Sequence, residues 1–125
     1  MEMKFRPKRT VLPQGDVEVV VKNFKDGATF EQDGELVETC VVILQTDNQV
    51  TIKGYFTPEW HEGSLLYSFV EAVEEDMTKV NENNLDLEKY IGRKLKVNVQ
   101  HKKVNGLTKI KVVAYMKLQD NEEVN

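Results

Sequence analysis

Residues 94–116 read KLKVNVQHKKVNGLTKIKVVAYM, and this segment is the most informative about the architecture of the chain. Its two halves alternate apolar and polar residues with a period of two, which is typical of strands with one buried face. Asn105-Gly106 lies between the halves, and this dipeptide between alternating runs is a strong signal of a tight hairpin turn. We therefore predict strands over residues 94–102 and 107–116, joined as an antiparallel hairpin.

Three further strands are predicted upstream, over residues 17–22, 38–45 and 50–56. The first alternates in the same way, and the second is almost continuously apolar and β-branched. Residues 25–34 contain Asp-Gly twice and predict a polar loop of about ten residues between the first two strands. The short polar turn at residues 46–49 makes the second and third strands an antiparallel hairpin.

The pattern changes to a helical period after Ser64, a residue type that favours helix N-caps. Apolar residues then recur on one side of a helix up to Met77, and residues 85–91 predict a short helical turn that ends before Gly92. The order predicts a mainly β fold: a five-stranded OB-type Greek-key barrel with one helix between strands 3 and 4 and a short helical turn before strand 4. An open antiparallel sheet with the helix across one face has the same order.

The length of 125 residues and a hydrophobic fraction of 40% indicate one domain with one core. We predict an irregular basic arm over residues 1–14, the OB-type domain over 15–118 and a disordered acidic tail over 119–125. No apolar run approaches the roughly 20 residues that span a bilayer. The polar start does not resemble a secretory signal, so the sequence predicts a cytoplasmic protein that does not contact membranes.

Charge is distributed unevenly along the chain. The formal net charge is −4, but residues 93–117 contain eight basic residues and no acidic one. Strand parity then predicts that the outward faces of strands 3, 4 and 5 combine lysines with tyrosines. Lysines that follow phosphates beside aromatic rings that stack on bases are the usual components of a single-strand binding groove. The predicted contact residues are Lys53, Tyr55, Lys94, Lys96, Lys102, Lys103, Lys109, Lys111 and Tyr115.

Other interpretations compete with this one. Lysines also occupy the solvated face of a hairpin, where they prevent edge-to-edge aggregation. Trp60 suits a lid on the core better than a platform for bases, and Cys40 suits a small buried hydrophobe. The sequence has no glycine-rich phosphate loop, no nucleophile elbow and no metal-ligand spacing, so we expect neither catalysis nor a cofactor or metal.

Two segments carry a resemblance to a known family. Residues 12–21, LPQGDVEVVV, are similar to the opening L-P-x-G-x-Y/V-x-V-x-V of small phage and mobile-element proteins. Residues 87–99, LEKYIGRKLKVNV, and the helix over 65–73 resemble a later block of the same family. The resemblance covers residues 12–117 and rests on structural motifs: a turn, a helix stop and a strand entry. It implies an OB-type fold and single-stranded DNA binding in replication or recombination.

The sequence therefore favours sequence-tolerant binding of single-stranded DNA, and it does not separate DNA from RNA. The alternative is a protein-interaction module on the same barrel that binds no nucleic acid. The acidic tail would suit the recruitment of a replication or recombination protein, and a homo-oligomer remains open.

Overall fold

The computed structural model describes residues 14–118. The predicted basic arm, apart from Gln14, and the predicted acidic tail lie outside the described residues. Between them the structure is mainly β, with all strand pairs antiparallel. The elements are β1 (Gly15–Gln32), β2 (Glu35–Thr46), β3 (Thr51–Phe56), α1 (Leu65–Val73), β4 (Lys94–Val104) and β5 (Leu107–Met116), with 3-10 turns at Met77–Lys79 and Leu87–Tyr90.

The five strands form one sheet in the order β3-β2-β1-β4-β5. The predicted strand number, the helix between strands 3 and 4, and the helical turn before strand 4 are therefore confirmed. The predicted closure into a barrel is not seen as a backbone ladder, since β3 and β5 are the two edges of the described sheet. The edges meet instead through side chains: the rings of Phe56 on β3 and Tyr115 on β5 lie 5.3 Å apart. The sheet is therefore strongly curled.

The predicted polar loop between the first two strands is wrong. β1 and β2 continue as a long hairpin to Asp33-Gly34, where φ is 52° and 81°. Positive φ at both central residues is what a two-residue type I′ turn requires. Asp26-Gly27 looks like a turn in the sequence but lies within β1, where a register shift between Asp26 and Thr29 absorbs it as a bulge.

Helix α1 is shorter than the sequence predicts. Its N-cap is Ser64, whose hydroxyl accepts a hydrogen bond from the Tyr67 N–H at 3.2 Å, as expected. The helix ends at Val73, and Met77 lies in a separate 3-10 turn. The Glu74 carboxylate accepts a bond from the Asp76 N–H, and such local side-chain bonds compete with helical ones.

The core lies between the concave face of the sheet and α1. Phe69 of α1 is fully buried at its centre, with ring centroids of four other aromatic residues 5.1–6.3 Å away. Valine and leucine side chains from β1, β2 and β4 surround this cluster. Within residues 14–118, no helix has the length and apolar content needed to cross a bilayer. We call this concave side the core face and the opposite side the outer face.

Candidate nucleic-acid interface

The alternation in β4 separates its apolar side chains from its lysines. Leu95, Val97 and Val99 are fully buried on the core face. The intervening residues, including Lys94 and Lys96, therefore lie on the outer face, as the sequence predicts. The core thus fixes the direction of the first two candidate lysines.

Beyond Val99, β4 and β5 continue as a two-stranded ribbon. We call residues 100–111 the basic hairpin, because they contain four lysines and no acidic residue. Lys102 lies directly opposite Lys109, and Lys111 lies opposite Gln100, all of them on the outer face. Among residues 14–118 the ion pairs are Lys89–Glu74 and Arg93–Glu75, so these hairpin lysines face no described carboxylate at ion-pair distance.

The remaining predicted lysines differ from this group. Lys103 pairs with Thr108. Because it is adjacent to Lys102 in β4, its side chain lies on the other face of the hairpin from that of Lys102. Lys96 lies opposite Glu18 of β1, and the neighbouring Asn98 donates a 2.9 Å hydrogen bond to Asp16. The carboxylates of β1 therefore partly neutralise the positive charge at the start of β4. The positive charge that remains unbalanced by described carboxylates lies toward the tip of the basic hairpin.

The predicted outward orientation of Tyr115 is wrong. The β4–β5 ladder pairs Asn98 with Ala114 but Val99 with Val112, so Val113 is an extra residue in β5. A one-residue bulge exchanges the faces of every later side chain. Tyr115 is consequently only 6% exposed, and burial raises the pKa of its hydroxyl. A ring held in the core in this way is not available to stack on a base.

The two predicted residues of β3 lie on the outer face. Lys53 pairs with Ile43, and Tyr55, which is 59% exposed, pairs with Val41. Three strand spacings separate β3 from β4, which is about 14 Å along the sheet. The structure therefore divides the candidate residues into two outer-face groups, the β4–β5 lysines and the Lys53–Tyr55 pair.

The outer face carries a second exposed aromatic residue that the sequence pattern does not predict. Phe30 is 40% exposed and pairs with Val37, which shares the alternation of Val41 on β2. Its ring therefore lies on the same side of the sheet as Tyr55. The only signal in the sequence is the short alternation around Phe30, which lies between two Asp-Gly dipeptides.

Two other candidate residues have structural roles. Trp60 is half-buried against the core, with its ring 4.9 Å from that of Tyr67, so the lid interpretation is confirmed. Cys40 is half-buried, and burial together with the nearby Asp26 raises its thiol pKa. A raised pKa disfavours the thiolate that a nucleophile needs.

Between residues 14 and 118, His, Cys, Asp and Glu side chains do not gather in groups of three that could hold a metal ion. The outer face instead offers ammonium groups and aromatic rings. No protein-family model matches the chain, and no curated protein matches its sequence.

Proposed function

We propose that this chain binds single-stranded nucleic acid without sequence preference, with DNA in phage or mobile-element replication or recombination as the expected ligand. The observation that carries the proposal is the direct opposition of Lys102 and Lys109 on the basic hairpin, without a described carboxylate to balance them. Like charges directly opposite each other destabilise a sheet. A polyanion lying along the hairpin relieves that repulsion and releases its own counterions.

Exposed rings supply the second component of the proposed site. Tyr55 and Phe30 lie on the outer face, where their rings are available for stacking. Single-strand binding surfaces of this kind occupy about 4–16 nucleotides, enough to reach from the lysine group to Tyr55. Tyr115 has no part in this site.

We further propose that the fold is of the OB type. With the order β3-β2-β1-β4-β5, a five-stranded barrel closes by bringing β3 and β5 together. The contact between Phe56 and Tyr115 supports that closure, with side chains bridging the seam.

The main test is a fluorescence anisotropy titration with labelled oligo-dT at several salt concentrations. We expect affinity to fall steeply with salt, and the log–log slope to lose about 0.7 for each phosphate contact removed by Lys109→Glu. The matched control is Lys79→Glu, which makes the same charge change on an exposed 3-10 turn. Because Lys109→Glu also converts a like-charge pair into an attractive one, it should stabilise folding by about 0.2–1 kcal/mol. Equal binding by both variants and the wild type would remove the hairpin from the site.

Stacking is tested separately at Tyr55. Tyr55→Ala should weaken oligonucleotide binding by about 1–3 kcal/mol, while Tyr55→Phe keeps the ring and most of the affinity. If neither substitution changes the affinity for the oligonucleotide, the Tyr55 ring does not contact the ligand. If the wild type fails to bind oligonucleotides even at low salt, the alternative of a protein-interaction module is favoured instead.

A further inference from the structure

The sheet carries two hairpin extensions of opposite charge. The acidic hairpin, residues 26–38, contains five carboxylates and no basic residue. The basic hairpin, residues 100–111, contains four lysines and no acidic residue. Each is a two-stranded ribbon that pairs with no third strand in the described structure.

The two hairpins extend beyond opposite ends of the β1–β4 ladder. That ladder covers only Gly15–Val20 of β1; β4 continues past one end as the basic hairpin, and β1 continues past the other toward the acidic hairpin. No ion pair joins the two hairpins in the described part of the chain. Among residues 14–118, the charges of the two hairpins are therefore not paired with each other.

Each hairpin also exposes an apolar side chain. Leu36 of the acidic hairpin is 76% exposed, and Leu107 at the tip of the basic hairpin is 64% exposed. Leu36 lines a groove between the acidic hairpin and the start of α1, together with Leu66 and Leu87. Asp26 and Glu38 line the same groove, so it combines apolar walls with negative charge.

We propose that the protein self-associates head to tail, with the basic hairpin of one copy seated in the acid-lined groove of the next. Leu107 would enter among the leucines of the groove, and the hairpin lysines would face the carboxylates of the acidic hairpin. A second copy is the occupant that fits, because both halves of the match belong to this chain. Such a contact is heterologous, so it builds open chains or rings of molecules rather than two-fold symmetric dimers.

The contact involves short ribbons, so the buried area is small and the association weak. Its attraction is between exposed charges, which salt screens over about 10 Å at 0.1 M. Self-association should therefore appear at high protein concentration in low salt and disappear in high salt. This proposal does not depend on nucleic-acid binding.

The test is sedimentation velocity over a series of protein concentrations, at about 0.05 M and about 0.5 M NaCl. Exposed charges are screened less at the first salt concentration and more at the second than at 0.1 M. One variant reverses the acidic hairpin (Glu31→Lys, Glu35→Lys, Glu38→Lys), and another reverses the basic hairpin (Lys102→Glu, Lys109→Glu, Lys111→Glu). The matched control for the acidic-hairpin variant carries the same three Glu→Lys changes at exposed positions elsewhere (Glu62→Lys, Glu71→Lys, Glu82→Lys).

We expect the wild type and the matched control to associate in low salt, and each reversed variant alone to sediment as a monomer. An equimolar mixture of the two reversed variants should associate again, because each then offers the charge that the other lacks. This restoration also shows that both variants are folded. A monomeric wild type in low salt, or a mixture that stays monomeric, would overturn the proposal.

The same variants separate this proposal from the proposed function. The acidic-hairpin variant keeps every lysine of the basic hairpin, so it should still bind a short oligo-dT while remaining monomeric. Loss of self-association with retained oligonucleotide binding supports both proposals. Self-association of the wild type without any oligonucleotide binding would support the head-to-tail contact and contradict the proposed function.

Discussion

The hydroxyl of Tyr115 lies against the backbone of Gly54, inside the curl of the sheet. It is buried and has no hydrogen-bond partner among the described residues. A Cβ at Gly54 would collide with that hydroxyl and come within 2.9 Å of Val42 Cγ1. Gly54 is therefore required by close packing, because only glycine lets β3 approach the tyrosine from β5.

This contact predicts a coupled pair of substitutions. Gly54→Ala should lower the free energy of unfolding by about 1–3 kcal/mol, since it overfills a packed site. Tyr115→Phe alone should change stability little, because the hydroxyl that it removes makes no hydrogen bond with a described residue. Urea unfolding of the double variant should then recover part of the cost of Gly54→Ala. Strict additivity of the two changes would show that the hydroxyl is not the colliding group.

At the scale of elements, Glu74 ties the end of α1 to the 3-10 turn that precedes β4. Its carboxylate accepts a 2.7 Å hydrogen bond from the Tyr90 hydroxyl, and Lys89 Nζ lies 3.3 Å from the same oxygen. These contacts, with that from the Asp76 N–H, lower the pKa of Glu74 to about 2, and the bond from Tyr90 has the largest effect. The structure half-buries Glu74.

The lowered pKa of Glu74 predicts how the free energy of unfolding depends on pH. The ionised form is favoured in the folded state, so its contribution is complete above the ordinary pKa of about 4.5 and is lost as pH falls toward about 2. Glu74→Gln should flatten the fall in unfolding free energy over that interval, whereas Glu71→Gln, at an exposed position of the same helix, should not. In an NMR titration, Tyr90→Phe should raise the pKa of Glu74. An unchanged midpoint would mean that the tyrosine bond is not the main cause.

The sequence predicts elements well where residue type and backbone geometry agree. Asn105-Gly106 forms the predicted turn, with φ of 53° and 79°. Asp33-Gly34 has the same geometry. A second Asp-Gly dipeptide nearby, Asp26-Gly27, indicates a loop, and for this reason the sequence does not predict the long β1–β2 hairpin. The bulge at Val113 could not be predicted, because the run of small apolar residues around it fits either face. Alternation along β4 predicts that its lysines lie on the outer face. Alternation alone does not predict the burial of Tyr115, because the bulge changes the face on which this side chain lies.

The curled sheet as a whole leaves two edges whose backbone groups have no described partner strand. We expect alternate amides of β3, those that point away from β2, to exchange with deuterium much faster than the amides of β1 over Val19 and Val20. The β1 amides are the internal control, since β1 is paired on both sides there. Equally slow exchange in β3 would show that β3 and β5 close a backbone ladder in solution.

The central position of β1 also bears on how the protein is made. The described β1–β4 ladder joins one strand to another that the ribosome produces much later, after β2, β3 and α1. Until then the Gly15–Val20 edge of each nascent chain is open, and the β4 of any neighbouring copy matches it as well as its own. Strand exchange between newly made copies would therefore begin at this edge, and rapid synthesis at high local concentration is the condition that favours it.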